Sequence, residues 1–477
     1  MNRQHSKIAA LAASLVVAGC ANLSGIESQA QLRDPAFLHL DVDARAAVTI
    51  PAQWWRGFGD EQLNRLIDQA LTGNPSLRST QARLARAQAV SDAAGAGLLP
   101  LVNGSLDITR QRYSETGLLP PPIAGSIRNS ATLQAGVNWE LDFFGKNRAL
   151  LDSALGAARA AQADADAARI LLASNVARGY FQLARTNDQI DVAQRTLAQR
   201  EAQLRLVRDR VNAGLDTTLE LRQSEGSLPQ ARQQLEALQE QASLAQHALA
   251  ALVGEPNRGV VLAAPHIAGI RSLATASVIP ADLLGQRADI AAARWRVEAA
   301  GHDIRNAKAQ FYPDINLVAF AGLSSIGLGN LINAGSLQWG VGPAIRLPIF
   351  EAGRLRANLR GKTADYDAAV ESYNAAVIEA IHEVGDQLAS GRSIGLQQAQ
   401  QRQAQQAGEA AYDIALQRYK AGLGNYLNVL AAETEVLVQR RLAVDLAARA
   451  LDSQVALVRA LGGGYTPAAE SVAAAPK

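Results

Sequence analysis

Two distant stretches of this chain carry nearly the same sequence, and this internal duplication constrains the fold more than any other feature. The segment Ala213-Gly214-Leu215 returns as Ala421-Gly422-Leu423, an offset of 421 − 213 = 208 residues. Two further pairs of segments repeat in the same order at similar offsets: 99–104 with 312–317, and 141–145 with 347–351. Ordered matches at a nearly constant offset indicate that one supersecondary unit was duplicated.

The composition favours long helices and argues against a nucleic-acid partner. Only 5% of the 477 residues are aromatic, and Ala, Gln, Leu and Arg are abundant, which is typical of helical rods rather than of aromatic-rich cores. The formal charge is +2. Because Arg3 and Lys7 lie in a segment that we expect to be removed, the mature chain has a charge near 2 − 2 = 0. Nucleic-acid binding normally requires a basic surface.

The N-terminus has the pattern of a secretory signal followed by a lipid anchor. Two positive charges precede an apolar run at 8–17, which is shorter than the roughly 20 residues that span a bilayer. The only cysteine, Cys20, follows in a context that resembles the bacterial lipoprotein processing box. We expect 1–19 to be a signal peptide, Cys20 to carry covalent lipid such as palmitate, and 20–53 to be an extended tether. Ala21 at the next position favours the outer membrane over the inner membrane. The alternative interpretation of Cys20 is a cysteine that follows a signal peptide by chance and carries no lipid.

Helix breakers and periodicity divide the remaining chain into two copies of one plan. Each copy has short helices, a strand pair and a long helical hairpin, since helix breakers are scarce in each hairpin outside its turn. We expect Pro229 to kink one return helix. The predicted ranges are 54–256 for the first repeat (strand pair 99–143, hairpin 145–253), 257–279 for a linker, 280–462 for the second repeat (strand pair 313–349, hairpin 353–461) and 463–477 for a disordered tail.

Residues 131–143 form the clearest predicted strand. Apolar and polar residues alternate throughout, which places an apolar row on one face and a polar row on the other. The polar row includes Asn138, Glu140 and Asp142, for which we predict a water-filled lumen, while Trp139 is an expected membrane-interface aromatic. An ordinary soluble hairpin has the same alternation.

Four strands cannot cross a membrane alone, because the unpaired backbone groups at the sheet edges find no partner in lipid. No apolar run after the signal is long enough for a transmembrane helix, and the smallest membrane barrels need about eight strands. If these strands cross a membrane, several chains must pool them. The hairpin helices carry charges on most turns, and their apolar residues have the spacing of coiled-coil packing, as at Leu197, Leu204, Val207 and Val211.

Several signatures, taken together in their order and spacing, resemble those of the TolC-like outer-membrane efflux factors, specifically the lipid-anchored NodT-type branch. They are Trp55, Phe58-Gly59-Asp60, Asn74-Pro75-Ser76-Leu77, Phe311-Tyr312-Pro313, both Ala-Gly-Leu turns and 460–464. The resemblance covers about residues 54–464. It implies an α+β membrane protein in which long antiparallel helical hairpins form an α-barrel. It also implies a homotrimer whose four transmembrane strands per chain build a twelve-stranded β-barrel.

The same resemblance implies a function: a passive exit duct of a tripartite system that exports small molecules such as drugs, and no enzymatic activity. The implied partners are two further copies of the chain, a periplasmic adaptor, an inner-membrane pump that is expected to be proton-driven, and outer-membrane lipid. No cofactor is implied besides the lipid on Cys20. The implied location is the outer membrane of a Gram-negative bacterium, with the helices projecting into the periplasm.

The two turns resemble the family's periplasmic tips, where adaptors dock and the resting channel closes. The tip residues are Ala213, Gly214, Leu215, Ala421, Gly422 and Leu423. Leu427 matches a constricting apolar ring, and the acidic gate candidates are Glu433, Asp216 and Glu220. The chain departs from many relatives at Ala431, where they have an aspartate.

Other classes of protein remain as alternatives from sequence alone. An outer-membrane channel for protein secretion shares the same plan. A lipid-anchored periplasmic adaptor or scaffold also has a helical hairpin, but usually a single one flanked by small β-domains, whereas this chain has two. A structural coiled-coil lipoprotein is a third alternative, for which the alternating strand would be unnecessary. The six histidines show no metal-ligand spacing, so no metal site is predicted. Nothing indicates nucleophilic or acid–base catalysis.

Overall fold

A computed structural model describes residues 23–33, 50–255, 263–273 and 283–466. The predicted signal peptide and Cys20 lie outside the described residues. The main helices and strands are α1 Glu61–Gly73, α2 Pro75–Ala96, β1 Leu101–Arg112, β2 Ile127–Glu140, α3 Lys146–Asn212, α4 Thr218–Val253, α5 Ala288–Ala309, β3 Asp314–Ile326, β4 Leu337–Arg346, α6 Arg354–Lys420 and α7 Tyr426–Ala460. The predicted plan of two strand pairs and two long helical hairpins is therefore present, and α4 continues through Pro229.

The chain divides into two compact units, which are described separately. The first unit, which carries the whole sheet, comprises Met1–Leu32, Arg83–Ala161 and Ala292–Asn374. The second unit, which carries both hairpin turns, comprises Arg33–Ala82, Gln162–Ala291 and Ala375–Lys477. Across the described ranges, no helix is both long and apolar enough to span a bilayer.

The four strands form a single antiparallel sheet in the order β1-β2-β3-β4. The register aligns apolar residues in rows across all four strands, as in Leu106, Leu133, Leu323 and Leu337. The adjacent row on the opposite face is polar or small: Ser105, Gln134, Gly322 and Gln338. Because directly opposed residues lie on the same side of a sheet, one face is apolar and the other is largely polar.

The second strand ends earlier than predicted. It stops at Glu140 and not at Phe143. The carboxylate of Asp142 instead accepts hydrogen bonds from the backbone N–H groups of Asn147 (3.1 Å) and Arg148 (2.8 Å) at the start of α3. The prediction that Asp142 lies on a strand is wrong, because the free amides and the dipole of the first helical turn stabilise a carboxylate there.

The largest buried cluster of the second unit surrounds the aromatic segment before α1. Trp55 is buried, and the Phe58 ring lies edge-on to Phe181 with their centroids 4.9 Å apart. Asp60 caps α1 through two backbone amides and also accepts a hydrogen bond from the Tyr180 hydroxyl at 2.7 Å. The conspicuous signature before α1 therefore has a structural role in the core.

Parts of the predicted linker and of the predicted disordered tail are packed in the structure. Ile270 of the linker belongs to the same core, and the N–H of Arg271 donates to the Phe58 carbonyl at 3.0 Å. Gly463, the first residue of the predicted disordered tail, is buried, and a Cβ there would lie 2.3 Å from the Ile170 side chain. The prediction of disorder from 463 therefore starts too early, because a glycine that permits close packing looks like a flexible one in sequence.

Candidate gate at the two hairpin turns

The two Ala-Gly-Leu turns share one backbone conformation. In the first turn the N–H of Leu215 donates to the carbonyl of Arg210 at 2.9 Å, and in the second the N–H of Leu423 donates to the carbonyl of Arg418 at 2.8 Å. This closure is a Schellman motif. The central glycines have φ values of 69° and 73°, which glycine adopts without the steric cost that a Cβ imposes. Both hairpins therefore turn by the same mechanism.

The return helices begin with side-chain caps. Thr217 caps α4, and Glu220 completes a capping box by accepting from the Thr217 N–H at 3.0 Å. Asn425 caps α7 by accepting from the Asn428 N–H at 3.1 Å. The hydrogen bond from the Thr217 side chain lowers the pKa of Glu220. The carboxylate of this gate candidate is therefore engaged at a helix start.

Asp216 connects the first turn to the second hairpin. Its carboxylate accepts two hydrogen bonds from the Arg210 guanidinium (Nε–Oδ2 2.9 Å, Nη2–Oδ1 3.2 Å) and one from the Tyr419 hydroxyl on α6. The guanidinium carbon of Arg210 also lies 4.6 Å from the centre of the Tyr419 ring. The side chains of Arg210 and Asp216 are only 12% and 10% exposed. We call these three residues the turn cluster.

The turn cluster has a definite charge state at neutral pH. Burial by itself raises the pKa of Asp216, but the hydrogen bonds from Arg210 and Tyr419 outweigh burial and lower the pKa below its ordinary value. Burial and the hydrogen bond to Asp216 raise the pKa of Tyr419. The cluster therefore joins a carboxylate, a guanidinium and a neutral phenol. Hydrogen bonds to ionised groups are roughly twice as strong as neutral ones.

Glu433 does not present its carboxylate to solvent. It is 1% exposed, its Oε2 lies 3.5 Å from the Arg200 Nε on α3, and its Oε1 accepts from the Gln199 amide at 3.3 Å. Burial raises its pKa in spite of Arg200. Its carboxylate is therefore enclosed within the protomer, and its role as a gate acid stays a prediction. The buried positions Val429 and Val436 lie four residues before and three after it, and this helical spacing was the sequence signal that places it on an inward face.

Several apolar residues at the tips face solvent in the protomer. The exposed fractions are 49% for Leu427, 64% for Leu215 and 70% for Leu423. The small residues of both turns are exposed as well. Clustered exposed apolar side chains on a protein surface mark sites of contact with other molecules.

The predicted lumen residues belong to the first unit. Asn138 is exposed on the sheet. Glu140 is ion-paired, since Lys146 Nζ lies 2.6 Å from its Oε1 and 2.8 Å from the Asp314 Oδ1. Asp142 caps α3 as described above. Of the three, Asn138 is the exposed strand residue, and a lumen role for all three stays a prediction.

Sequence reasoning missed Arg210 and Tyr419, although the duplication contained a signal for them. At an offset of 208 residues, Arg210 matches Arg418. Tyr419 instead occupies the position of Val211, and Asp216 that of Gly424. Asp216 and Tyr419, two of the positions at which the repeats differ, thus form a bond from one repeat to the other.

Comparisons with known proteins agree with this architecture. The family model described as outer membrane efflux protein matches residues 66–255 and 279–463. Fusaric acid resistance protein FusA of Burkholderia cepacia is 37% identical over 364 residues, which cover 74% of this chain and 68% of FusA. Multidrug resistance outer membrane protein MdtQ of Escherichia coli O157:H7 is 31% identical over 493 residues, which cover 98% of this chain and 100% of MdtQ.

Solved structures give the same result. The outer membrane protein VceC of Vibrio cholerae has a TM-score of 0.82 at 36% identity, with 86% of this chain and 98% of VceC covered. The predicted family, fold class and outer-membrane location are therefore confirmed. The chain belongs to the outer membrane efflux protein family, whose members are passive outer-membrane channels and not enzymes.

Proposed function

We propose that this protein works as a homotrimeric exit duct of a tripartite efflux system and that the turn cluster holds its periplasmic end closed at rest. A proton-driven inner-membrane pump and a periplasmic adaptor deliver small molecules such as drugs, and the duct carries them across the outer membrane without doing work itself. The observation that carries the proposal is the sheet, whose apolar face and edges lack a partner within one described chain.

The sheet requires both lipid and further copies. Large apolar side chains on it are exposed, with fractions of 58% for Leu106, 66% for Leu337 and 73% for Trp339. Among the described residues, the edge strands β1 and β4 each pair with a strand on one side only, and the unpaired backbone groups of the other side cost several kcal/mol each in lipid. Three copies pair these edges into twelve strands, which exceeds the minimum of about eight. The largely polar face, with Asn138, then lines the water-filled interior.

The turn cluster supports a gate. It ties the turn of the first hairpin to α6 of the second, so outward movement of one hairpin must break bonds to the Asp216 carboxylate. Leu427 stands beside the second turn and contributes an apolar constriction in the closed trimer. The exposed Leu215 and Leu423 are the docking residues for the adaptor.

The segment that follows the predicted lipid site is held against the first unit. Ser28 donates to the Asp367 carboxylate on α6 at 2.6 Å, and the Ala30 N–H donates to the same carboxylate at 3.3 Å. This contact supports the proposal that Cys20 carries the lipid and that the tether guides it to the membrane. A Cys20→Ser variant should lose the acyl mass increment in intact-protein mass spectrometry.

A wide passive duct selects little among its cargoes. One relative is named for fusaric acid resistance and another for multidrug resistance. Proteins of the same architecture are thus associated with different compounds. This diversity supports a division of labour in which the pump selects the substrate.

Complementation tests the proposed function. The full-length protein, expressed with a cognate pump and adaptor in a Gram-negative strain that lacks its own channel, should restore drug resistance and migrate as a trimer on unheated gels. Leu215→Asp combined with Leu423→Asp should keep the trimer and abolish resistance. Leu118→Asp, a change at a fully exposed loop residue of the first unit, is the matched control. A folded monomer, or a trimer without any export, would contradict the proposal.

A further inference from the structure

We propose that Asp188, Asp191 and His266 form a binding site for a divalent transition-metal ion such as Zn²⁺. The two aspartates lie on α3, and the histidine belongs to the linker between the repeats. Each offers one ligand atom, and these atoms lie within 4.8 Å of one another. The His266 Nδ1 is 2.7 Å from the Asp188 Oδ1 and 3.6 Å from the Asp191 Oδ2.

One of these two separations fits a tetrahedral ion, and the other is shorter than such an ion requires. Zn–N and Zn–O bonds of about 2.0–2.2 Å at tetrahedral angles place ligand atoms about 3.3–3.5 Å apart. The distance from His266 to Asp191 already has this value within about 0.3 Å. The distance from His266 to Asp188 must open by about 0.6 Å, as the proton shared in that hydrogen bond leaves and the ion takes its place. Solvent reaches the site, since His266 is 43% exposed, and supplies the remaining coordination position.

Contacts outside the triad hold the ligands in place before an ion binds. The second carboxylate oxygen of Asp188 accepts a hydrogen bond from the Ile267 N–H at 3.1 Å. Asn187 donates to the Pro265 carbonyl at 3.0 Å, so the linker is fixed on both sides of His266. Hydrogen bonds that orient ligands in this way raise metal affinity. Asp188 and Asp191, three residues apart, also share one face of α3.

The donor set selects among metals. One imidazole and two carboxylates suit Zn²⁺ and its first-row neighbours. Ca²⁺ and Mg²⁺ favour sites built from six or more oxygen ligands. The site contains no thiolate or thioether, which disfavours Cu⁺. The site therefore differs in chemistry from a site for alkaline-earth ions.

The site lies at the linker between the two repeats of this chain. The family match covers 66–255 and 279–463 and leaves His266 between its two parts. A bound ion would join the linker to α3 and reinforce the packing of Ile270 in the core. Its role is to fasten the connection between the two repeats, whether or not the duct is open.

Calorimetric titration of the tag-free, full-length protein with ZnCl₂ tests the proposal. We expect one Zn²⁺ per chain, and the Kd should rise at least about tenfold in both His266→Ala and Asp191→Asn, because even the loss of an orienting contact costs that much. His382→Ala is the matched control. His382 pairs with Asp386 on its own helix, at 3.5 Å, and is not a member of the triad, so its removal should leave the Kd unchanged.

The Asp191→Asn variant separates metal binding from folding, since it leaves the contacts of Asp188 with His266 and Ile267 in place. Replacement of Zn²⁺ by Co²⁺ should give visible absorption in the wild type and none at this site in either variant. The proposal is overturned if Zn²⁺ does not bind, or if it binds both variants as tightly as the wild type. Equal weakening in His382→Ala would equally overturn it, as evidence of non-specific surface binding.

Discussion

The two hairpin turns have the same backbone and different side chains, and the difference accounts for the proposed gate. Both close with equivalent hydrogen bonds around a glycine of positive φ. The first turn supplies Arg210 and Asp216, and the second hairpin supplies Tyr419, where the first has valine. Duplication therefore produced two turns with the same backbone. Divergence at Asp216 and Tyr419 then added a hydrogen bond between the two hairpins. This contrast predicts large effects from side-chain changes at the cluster and small, equal effects from backbone changes.

The largest effect is expected from Asp216→Ala. It removes the acceptor for both Arg210 and Tyr419 and leaves a nearly buried guanidinium without its partner, which costs about 3 kcal/mol. The open fraction of the channel should rise by roughly 100-fold per chain, as measured by planar-bilayer conductance. Asp209→Ala removes an equal charge from an exposed position one residue before Arg210 and should leave conductance unchanged. Equal conductance in the two variants would contradict the role of the cluster.

A smaller effect is expected from Tyr419→Phe, which removes one hydroxyl and keeps the ring under Arg210. The loss of one hydrogen bond to a charged group costs about 1.5 kcal/mol, so the open fraction should rise about tenfold. Tyr373→Phe, a change on the same helix far along the chain from the turn, is the control for loss of a hydroxyl. A closed Tyr419→Phe channel would mean that Arg210 alone holds Asp216.

Backbone changes should affect both turns alike. No atom lies within 4 Å of a Cβ built on Gly214 or Gly422, so alanine there costs only the strain of positive φ, about 1 kcal/mol. Gly214→Ala and Gly422→Ala should lower the free energy of unfolding in urea by the same amount. A difference of more than about 1 kcal/mol between them would show that the turns are not equivalent scaffolds.

The smallest effect concerns Glu433 and appears as a pH dependence. Its pKa is raised in the folded protein, so its contribution to stability is complete below the ordinary carboxyl range, near pH 4.5, and is lost as pH rises through the folded pKa. Glu433→Gln, which mimics the protonated form, should flatten the dependence of Tm on pH above about 4.5. Parallel profiles for the variant and the wild type would show that Glu433 titrates normally.

Much of the fold is predictable because its signals are local. The scarcity of helix breakers predicted a hairpin at 145–253 with its turn at Ala213-Gly214-Leu215, and the structure has its first helix at Lys146–Asn212. Alternation predicted β2 but placed its end too late. Asp142 leaves the strand because its carboxylate accepts hydrogen bonds from the unpaired backbone N–H groups in the first turn of α3. Hydrophobic periodicity and turn residues thus predict which helices and strands form, but they locate the ends of these elements only to within about a few residues.

The site residues were harder to predict, because their partners are distant in sequence. Tyr419 bonds to Asp216 across 203 positions, and His266 meets Asp188 across 78. Neither spacing corresponds to a local motif. Glu433 was chosen as a gate candidate for its charge, whereas its helical spacing from Val429 and Val436 indicates a buried face. Comparison of the two repeats, position by position, is the sequence method that finds Asp216 and Tyr419.

A double-mutant cycle by single-channel conductance tests the central claim most directly. Wild type, Asp216→Ala, Tyr419→Phe and the double variant would be measured as purified trimers in one lipid mixture. We predict rare, small openings in the wild type, frequent openings in each single variant, and a double variant no more open than Asp216→Ala, because Asp216→Ala already removes the acceptor of the Tyr419 hydrogen bond. Additive effects of the two changes, or four channels that open equally, would show that the Asp216–Tyr419 bond does not hold the gate.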